Sequence, residues 1–172
     1  MPLTKLALSN GKYYIRSEAP WKGYLQGKLC SISEKATKPR LSALFDVTSI
    51  NGSSGLVSLR SSFFDGSYLV VQKKDNGTML TEEEHFSGRL FLSNKNNSSK
   101  LEAAQAQFEL FVPPNADNAV KKDDGIRAII RSDSNQRFLS IKSGGNPFAT
   151  EKDPALATVF ILERFLLTIF FY

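Results

Sequence analysis

Apolar and polar positions alternate along this chain in short runs, and the runs recur in a fixed order. Three segments share one pattern of an apolar pair, a polar turn and an aromatic or Leu pair in a strand-like run. They are Ala7-Leu8-Ser9-Asn10-Gly11-Lys12-Tyr13-Tyr14-Ile15-Arg16, the stretch from Leu59 through Asp65-Gly66 to Tyr68-Leu69-Val70-Val71, and the stretch from Ile130 through Ser134-Asn135 to Phe138-Leu139-Ser140-Ile141. Short β-prone runs around Gly, Asn, Asp or Ser read as β-hairpins. Later in each unit a strand centres on a Phe: Phe45-Asp46-Val47, Phe108-Glu109-Leu110 and Phe160-Ile161-Leu162. Strand side chains alternate between faces, so Phe and the Val or Leu two positions on share one face, and Asp46 and Glu109 take the other.

Three such units, each of four short strands and none with a long helical period, predict an all-β chain. Internal repetition of this length decides the architecture. A two-sheet sandwich also accommodates strands with turns every 8–12 residues, but gives no reason for a threefold repeat. The reading favoured is a β-trefoil, with Phe45, Phe108 and Phe160 in equivalent core positions joined by Tyr14, Leu69 and Leu139. The turn Asp75-Asn76-Gly77-Thr78-Met79 matches Gly145-Asn146-Pro147-Phe148-Ala149, the second unit carries an insertion around Glu82–Lys100, and Leu101-Glu102-Ala103-Ala104 suits one helical turn. A single domain over 1–165 is expected, with an apolar tail at 166–172. That tail, Leu166-Leu167-Thr168-Ile169-Phe170-Phe171-Tyr172, is too short to span a bilayer. Three roles stay open for it: pairing with the N-terminal strand, covering a partner subunit, or an atypical end. The apolar face that one-sided pairing would leave bare predicts a homodimer.

Composition narrows the chemistry. One cysteine, Cys30, and one histidine, His85, among 172 residues exclude an intrachain disulfide, a Cys-rich zinc site and a His cluster. No metal and no cofactor are expected. No nucleophile elbow, phosphate loop, dinucleotide fingerprint or zincin motif is present. Glu82-Glu83-Glu84-His85 reads as an exposed loop, so the expectation is a protein that is not an enzyme. The net charge of +5 is uneven. Residues 1–45 carry eight Lys and Arg against two Glu, whereas residues 46–120 carry six against nine acids. The lysines are scattered and not interleaved with aromatics, so neither a nucleic-acid nor a membrane face is expected. The start, MPLTKLALSNGKYY, has no apolar stretch before its first charges, and a cytoplasmic or nuclear location is expected.

Sugar binding needs planar hydrogen-bonding side chains for hydroxyl pairs and an aromatic face for the sugar's C–H groups. Trp21 and Tyr24, in the turn Pro20-Trp21-Lys22-Gly23-Tyr24, and Asp75, Asn76, Gly77 and Thr78 are the candidates. The unit Lys12-Tyr13-Tyr14, the block Leu41-Ser42-Ala43-Leu44-Phe45-Asp46-Val47, and the run Gly55–Ser61 leading into Ser67-Tyr68-Leu69-Val70 carry a resemblance. With Gly125–Ile130 and Arg137-Phe138-Leu139, they resemble the amaranthin family of plant agglutinins. The resemblance implies a β-trefoil lectin for galactose or N-acetylgalactosamine-type glycans, with glycans or glycoproteins as partners and a role in plant stress or defence. It implies a sugar site on the turn Asp75–Met79, near a subunit boundary. There the chain keeps Asn76 and has Gly77, Thr78 and Met79 where the family places stacking rings. A rival class is a cytosolic protein-interaction trefoil such as a fascin-like actin-binding module, which the basic first third would suit. A Kunitz-like protease inhibitor ranks last, since no disulfide can brace its loop.

Overall fold

The computed structural model describes residues 2–18, 23–26, 31–33, 39–50, 55–64, 66–71, 88–94, 103–114, 121–122, 125–142 and 145–166. Trp21, Cys30, Asp75–Thr78, Glu82–His85 and residues 167–172 lie outside the described residues. Thirteen strands occur among the described residues: β1 (Gly11–Ser17), β2 (Tyr24–Gln26), β3 (Ser31–Ser33), β4 (Leu44–Ser49), β5 (Leu56–Ser61), β6 (Ser67–Val71), β7 (Leu90–Asn94), β8 (Phe108–Phe111), β9 (Lys121–Lys122), β10 (Gly125–Ser132), β11 (Phe138–Ile141), β12 (Pro147–Glu151) and β13 (Phe160–Arg164). Six of them close on themselves: β1 pairs β4, β4 pairs β5, β5 pairs β8, β8 pairs β10, β10 pairs β13, and β13 returns to β1, all antiparallel. Closure leaves this barrel no free edge. Three hairpins, β2–β3, β6–β7 and β11–β12, spring from β1, β5 and β10 respectively. Three four-strand units around one barrel make the chain a β-trefoil, as the repeats predict.

The repeat is visible in the register. Phe45 lies opposite Tyr13 on one side and Ser61 on the other. Phe108 lies between Val57 and Ser132, and Phe160 between Ala128 and Ser17. All three rings are fully buried, and so are all three serines. A serine is small enough to leave room for the ring beside it, and its hydroxyl serves the turn that follows. Ser61 Oγ accepts from the Phe64 N–H at 2.9 Å, and Ser132 Oγ bonds Ser134 Oγ at 3.0 Å. Buried hydroxyls without partners would be costly, so the turns and the core packing depend on one another.

The sequence expectation needs two corrections. Tyr14 does not join the core: β1 alternates, and Tyr13, Ile15 and Ser17 point inward while Tyr14 faces out against Tyr24 and Phe165. Ala7–Asn10 form no strand, so the first unit's hairpin is not Ala7–Arg16. Its counterpart is the step from β1 to β2, where Arg16 pairs Tyr24 as Arg60 pairs Tyr68 and Arg131 pairs Phe138. Leu25 is thus the buried partner of Leu69 and Leu139. The turn expected at 101–104 is a 3-10 turn at Ala103–Ala106.

Two further contacts knit the units together. Gly88, at φ +47°, lies so close to β12 that a Cβ would stand 2.5 Å from the Ala149 carbonyl oxygen. The Ala149 N–H donates to Gly88 O at 2.7 Å, which ties the second hairpin to the third. The segment Thr4–Leu6 runs as a strap alongside β8: Leu6 N–H donates to Leu110 O at 2.8 Å and Val112 N–H to Thr4 O at 2.9 Å. Lys5 reaches Glu109 at 3.3 Å. Glu109 also receives the Arg131 guanidinium, which stacks 4.8 Å from the Phe111 ring centre. β13 pairs with β1 and the pairing continues to Phe165, whose N–H donates to Lys12 O at 2.8 Å, while the tail expected to pair there lies from residue 167 outside the described residues.

Replacing Phe45 or Phe108 by Ala should cost roughly 3–5 kcal/mol in denaturant unfolding. Ser61→Leu, which drives a branched side chain against the Phe45 ring, should cost at least about 1–3 kcal/mol. Glu109 contributes to stability against acid. Burial pushes its carboxyl up, but Arg131 and Lys5 outweigh that and hold it below its ordinary 4.5. Its contribution is therefore complete above the unfolded value and disappears as pH falls through the lowered one. Glu109→Gln should lower stability by on the order of 2–3 kcal/mol at neutral pH. It should also flatten the acid limb of a stability–pH curve, read by thermal melts between pH 6 and 3.

Candidate functional site

The three places where one unit's fourth strand meets the next unit's first strand are equivalent seams on the outer barrel wall. Each carries an arginine and, on the emerging hairpin, an aromatic: Arg16 with Tyr24, Arg60 with Tyr68, Arg131 with Phe138. What fills the seam differs. Between β13 and β1, Glu163 sits opposite Tyr14. Its carboxylate accepts from Arg16 Nε at 2.6 Å and from the Tyr24 hydroxyl at 2.9 Å. Beside it Arg127 grips Glu18 with two bonds at 2.9 and 3.2 Å. Burial first, then the bond to Glu163, pushes the Tyr24 hydroxyl up to about 12. Between β8 and β10 the corresponding rung is Phe111 opposite Ile129, both buried. Leu3, Ala157, Phe138 and Val159 pack around it.

Between β4 and β5 the same rung is Thr48 opposite Ser58. Two small hydroxyl residues thus stand where the sister seams have Glu163–Tyr14 and Phe111–Ile129. The wall is therefore hollow here, a groove of about 320 Å³ lined by Asn10, Gly11, Asp46, Val47, Thr48, Ser58, Arg60 and Tyr68. Asp46 lies in register between Lys12 and Arg60. Its carboxylate accepts from Lys12 Nζ at 2.7 Å, and Lys12 also donates to Ser62 Oγ at 3.3 Å. Asn10 Oδ1 accepts from the Ser49 N–H at 2.9 Å, which fixes the amide at the rim. Arg60 is exposed. The groove so combines a carboxylate, a guanidinium, hydroxyls and an amide with the Tyr68 ring. Such a lining can hydrogen-bond a polyhydroxylated ligand and cover its apolar face.

Of the residues singled out from the sequence, Tyr24 is the described one, 8% exposed and committed to Glu163 and the Tyr14 edge. Trp21 and Asp75, Asn76, Gly77 and Thr78 lie outside the described residues. The groove residues were not legible as a group, because they come from four different strands and from Asn10 just before β1. The one available signal was the outward placement of Asp46 beside the inward Phe45. Among the described residues, no group of three or more His, Cys, Asp and Glu could hold a metal ion, and no helix is long and apolar enough to cross a membrane.

No protein-family model matches the chain, and no curated protein is significantly similar to it in sequence. Solved structures are similar in fold. One is described as SeviL bound to asialo-GM1 saccharide, with a TM-score of 0.58 and 14% identity over 91% of this chain and 98% of that one. A second, the BEL β-trefoil in an apo crystal form, gives a TM-score of 0.59 at 11% identity over 96% and 100%. A third is the S. cerevisiae protein O-mannosyltransferase Pmt1–Pmt2 complex bound to the sugar donor, with a TM-score of 0.61 at 11% identity. There 95% of this chain covers 26% of the other. At such identities the likeness is one of architecture, and it agrees with the threefold register in making this chain a β-trefoil.

Proposed function

We propose that this protein is a carbohydrate-binding module of lectin type, without catalysis, and that the groove between β4 and β5 takes the sugar. The observation that carries the reading is the Thr48–Ser58 rung, which opens one seam of three and leaves Asp46, Arg60 and Tyr68 around a sugar-sized hollow. The architecture it shares with SeviL, described as bound to asialo-GM1 saccharide, supports it. So does the resemblance of its sequence blocks to the amaranthin agglutinins, from which galactose or N-acetylgalactosamine-type glycans are the ligands to try first. The turn Asp75–Thr78, with Trp21, belongs to the same proposal as a second contact region.

A shallow groove binds one sugar weakly, so useful affinity comes from several sites acting together. Homodimerisation, with the region after Arg164 in the contact, would supply a second site, and Leu166 is 72% exposed at its start. The test is a glycan array probed with the full chain coupled to a tetrameric carrier. Retention of galactose-type glycans is expected. Ser58→Tyr, which restores the ring that Tyr14 supplies in the sister seam, should reduce retention by at least about tenfold with an unchanged melting temperature. No retention of any saccharide, or full retention by Ser58→Tyr, would overturn the reading. Failure to sediment with actin filaments at low and at high salt is expected, and separates it from the filament-binding alternative.

A further inference from the structure

The two closed seams show what the repeated arginine takes as its partner. Arg16 holds the carboxylate of Glu163, and the Tyr24 hydroxyl shares it. Arg131 holds the carboxylate of Glu109. In both, an oxyanion lies against the guanidinium on the outer wall, supplied by the protein itself. The open seam has the same arginine and the same hairpin tyrosine, Arg60 and Tyr68. At the position of Glu163, however, stands Thr48, which bears no charge. Asp46, which stands opposite Arg60 as Glu109 stands opposite Arg131, has its carboxylate turned to Lys12 at 2.7 Å. With Lys12 and Asp46 compensating each other, Arg60 leaves the groove with one net positive charge.

From this we infer that the groove selects anionic saccharides, with the ligand's oxyanion taking against Arg60 the place that Glu163 takes against Arg16. The inference rests on the carbohydrate-binding reading and deepens it. A planar guanidinium binds carboxylate or sulfate through paired, charge-assisted hydrogen bonds, which a neutral hydroxyl cannot match. The sugar ring then lies over the Thr48–Ser58 rung, with the Asn10 amide at the rim. A carboxylated and a sulfated sugar offer the same chemistry to Arg60, and the two sources are told apart by experiment.

The experiment uses three ligands with one core: lactose, 3′-sialyllactose and 3′-sulfated lactose, titrated calorimetrically into the full chain at low and high salt. One or both anionic ligands should bind on the order of tenfold tighter than lactose. That advantage should shrink at high salt, because the site is open to solvent. A preference for only one of them identifies the oxyanion source. Thr48→Glu places a carboxylate where Glu163 stands in the sister seam, so the protein fills its own site. It should bring the ratio of anionic to neutral affinity close to one, as should Arg60→Gln. Equal affinity for all three ligands in the unaltered protein would overturn the inference while leaving sugar binding intact. So would an anionic preference that survives both substitutions. No binding of any of the three overturns the inference, and with an empty glycan array the lectin reading goes with it.

Discussion

The packing of three phenylalanine rings against three buried serines is the constraint on which the rest of this molecule depends. Each ring bridges two strands of the barrel, one from its own unit and one from the next, so the contact is at once the core and the joint between units. A larger residue at the serine would evict the ring, and a residue without a hydroxyl would leave the following turn without its acceptor. Because the serine is also the last residue of its barrel strand, the point where the chain leaves the wall to form a hairpin is set by the same side chain. Interior packing and chain direction are therefore decided together, three times over.

With the Phe–Ser layer held to threefold symmetry, the outer wall is free to differ between units. One rung on each seam faces outward, and its two residues decide whether the seam is sealed. Tyr14 with Glu163 seals one with a ring and a bonded carboxylate, and Phe111 with Ile129 seals another with a small apolar cluster that includes Leu3. Thr48 with Ser58 seals nothing. A two-residue difference on a wall whose backbone does not change turns a structural seam into a receptive one. Surface chemistry of this kind tolerates substitution, because none of it touches the Phe–Ser layer.

Much of the fold was legible because alternation in a half-buried strand is strict. Phe45, Phe108 and Phe160, with Val47, Leu110 and Leu162, declare their faces in the sequence. Tyr13-Tyr14 did not, since two adjacent aromatics satisfy either phase, and only the register with β4 and β13 shows which ring is inside. The first unit's hairpin was obscured because Leu8, Asn10-Gly11 and Tyr13-Tyr14 imitate its pattern one step earlier, although Tyr24 follows Arg16 at the same interval as Tyr68 follows Arg60. The groove was harder still. Lys12, Asp46, Ser58 and Tyr68 lie on four different strands, and what makes them a site is that the Thr48–Ser58 rung among them is small. Smallness relative to an equivalent position cannot be seen until the equivalence is known.

The strap alongside β8 and the closing pair β1–β13 have a mechanical consequence. Tension drawn between Thr4 and Phe165 meets first the two backbone bonds and the Lys5–Glu109 contact of the strap. Behind them, β1 and β13 run antiparallel with Lys12 and Phe165 at the same end. Their rungs are loaded one after another from that end, as teeth of a zipper, and never all at once in shear. The barrel that has no edge in solution has a preferred line of opening under force, along the seam where its first and last strands meet.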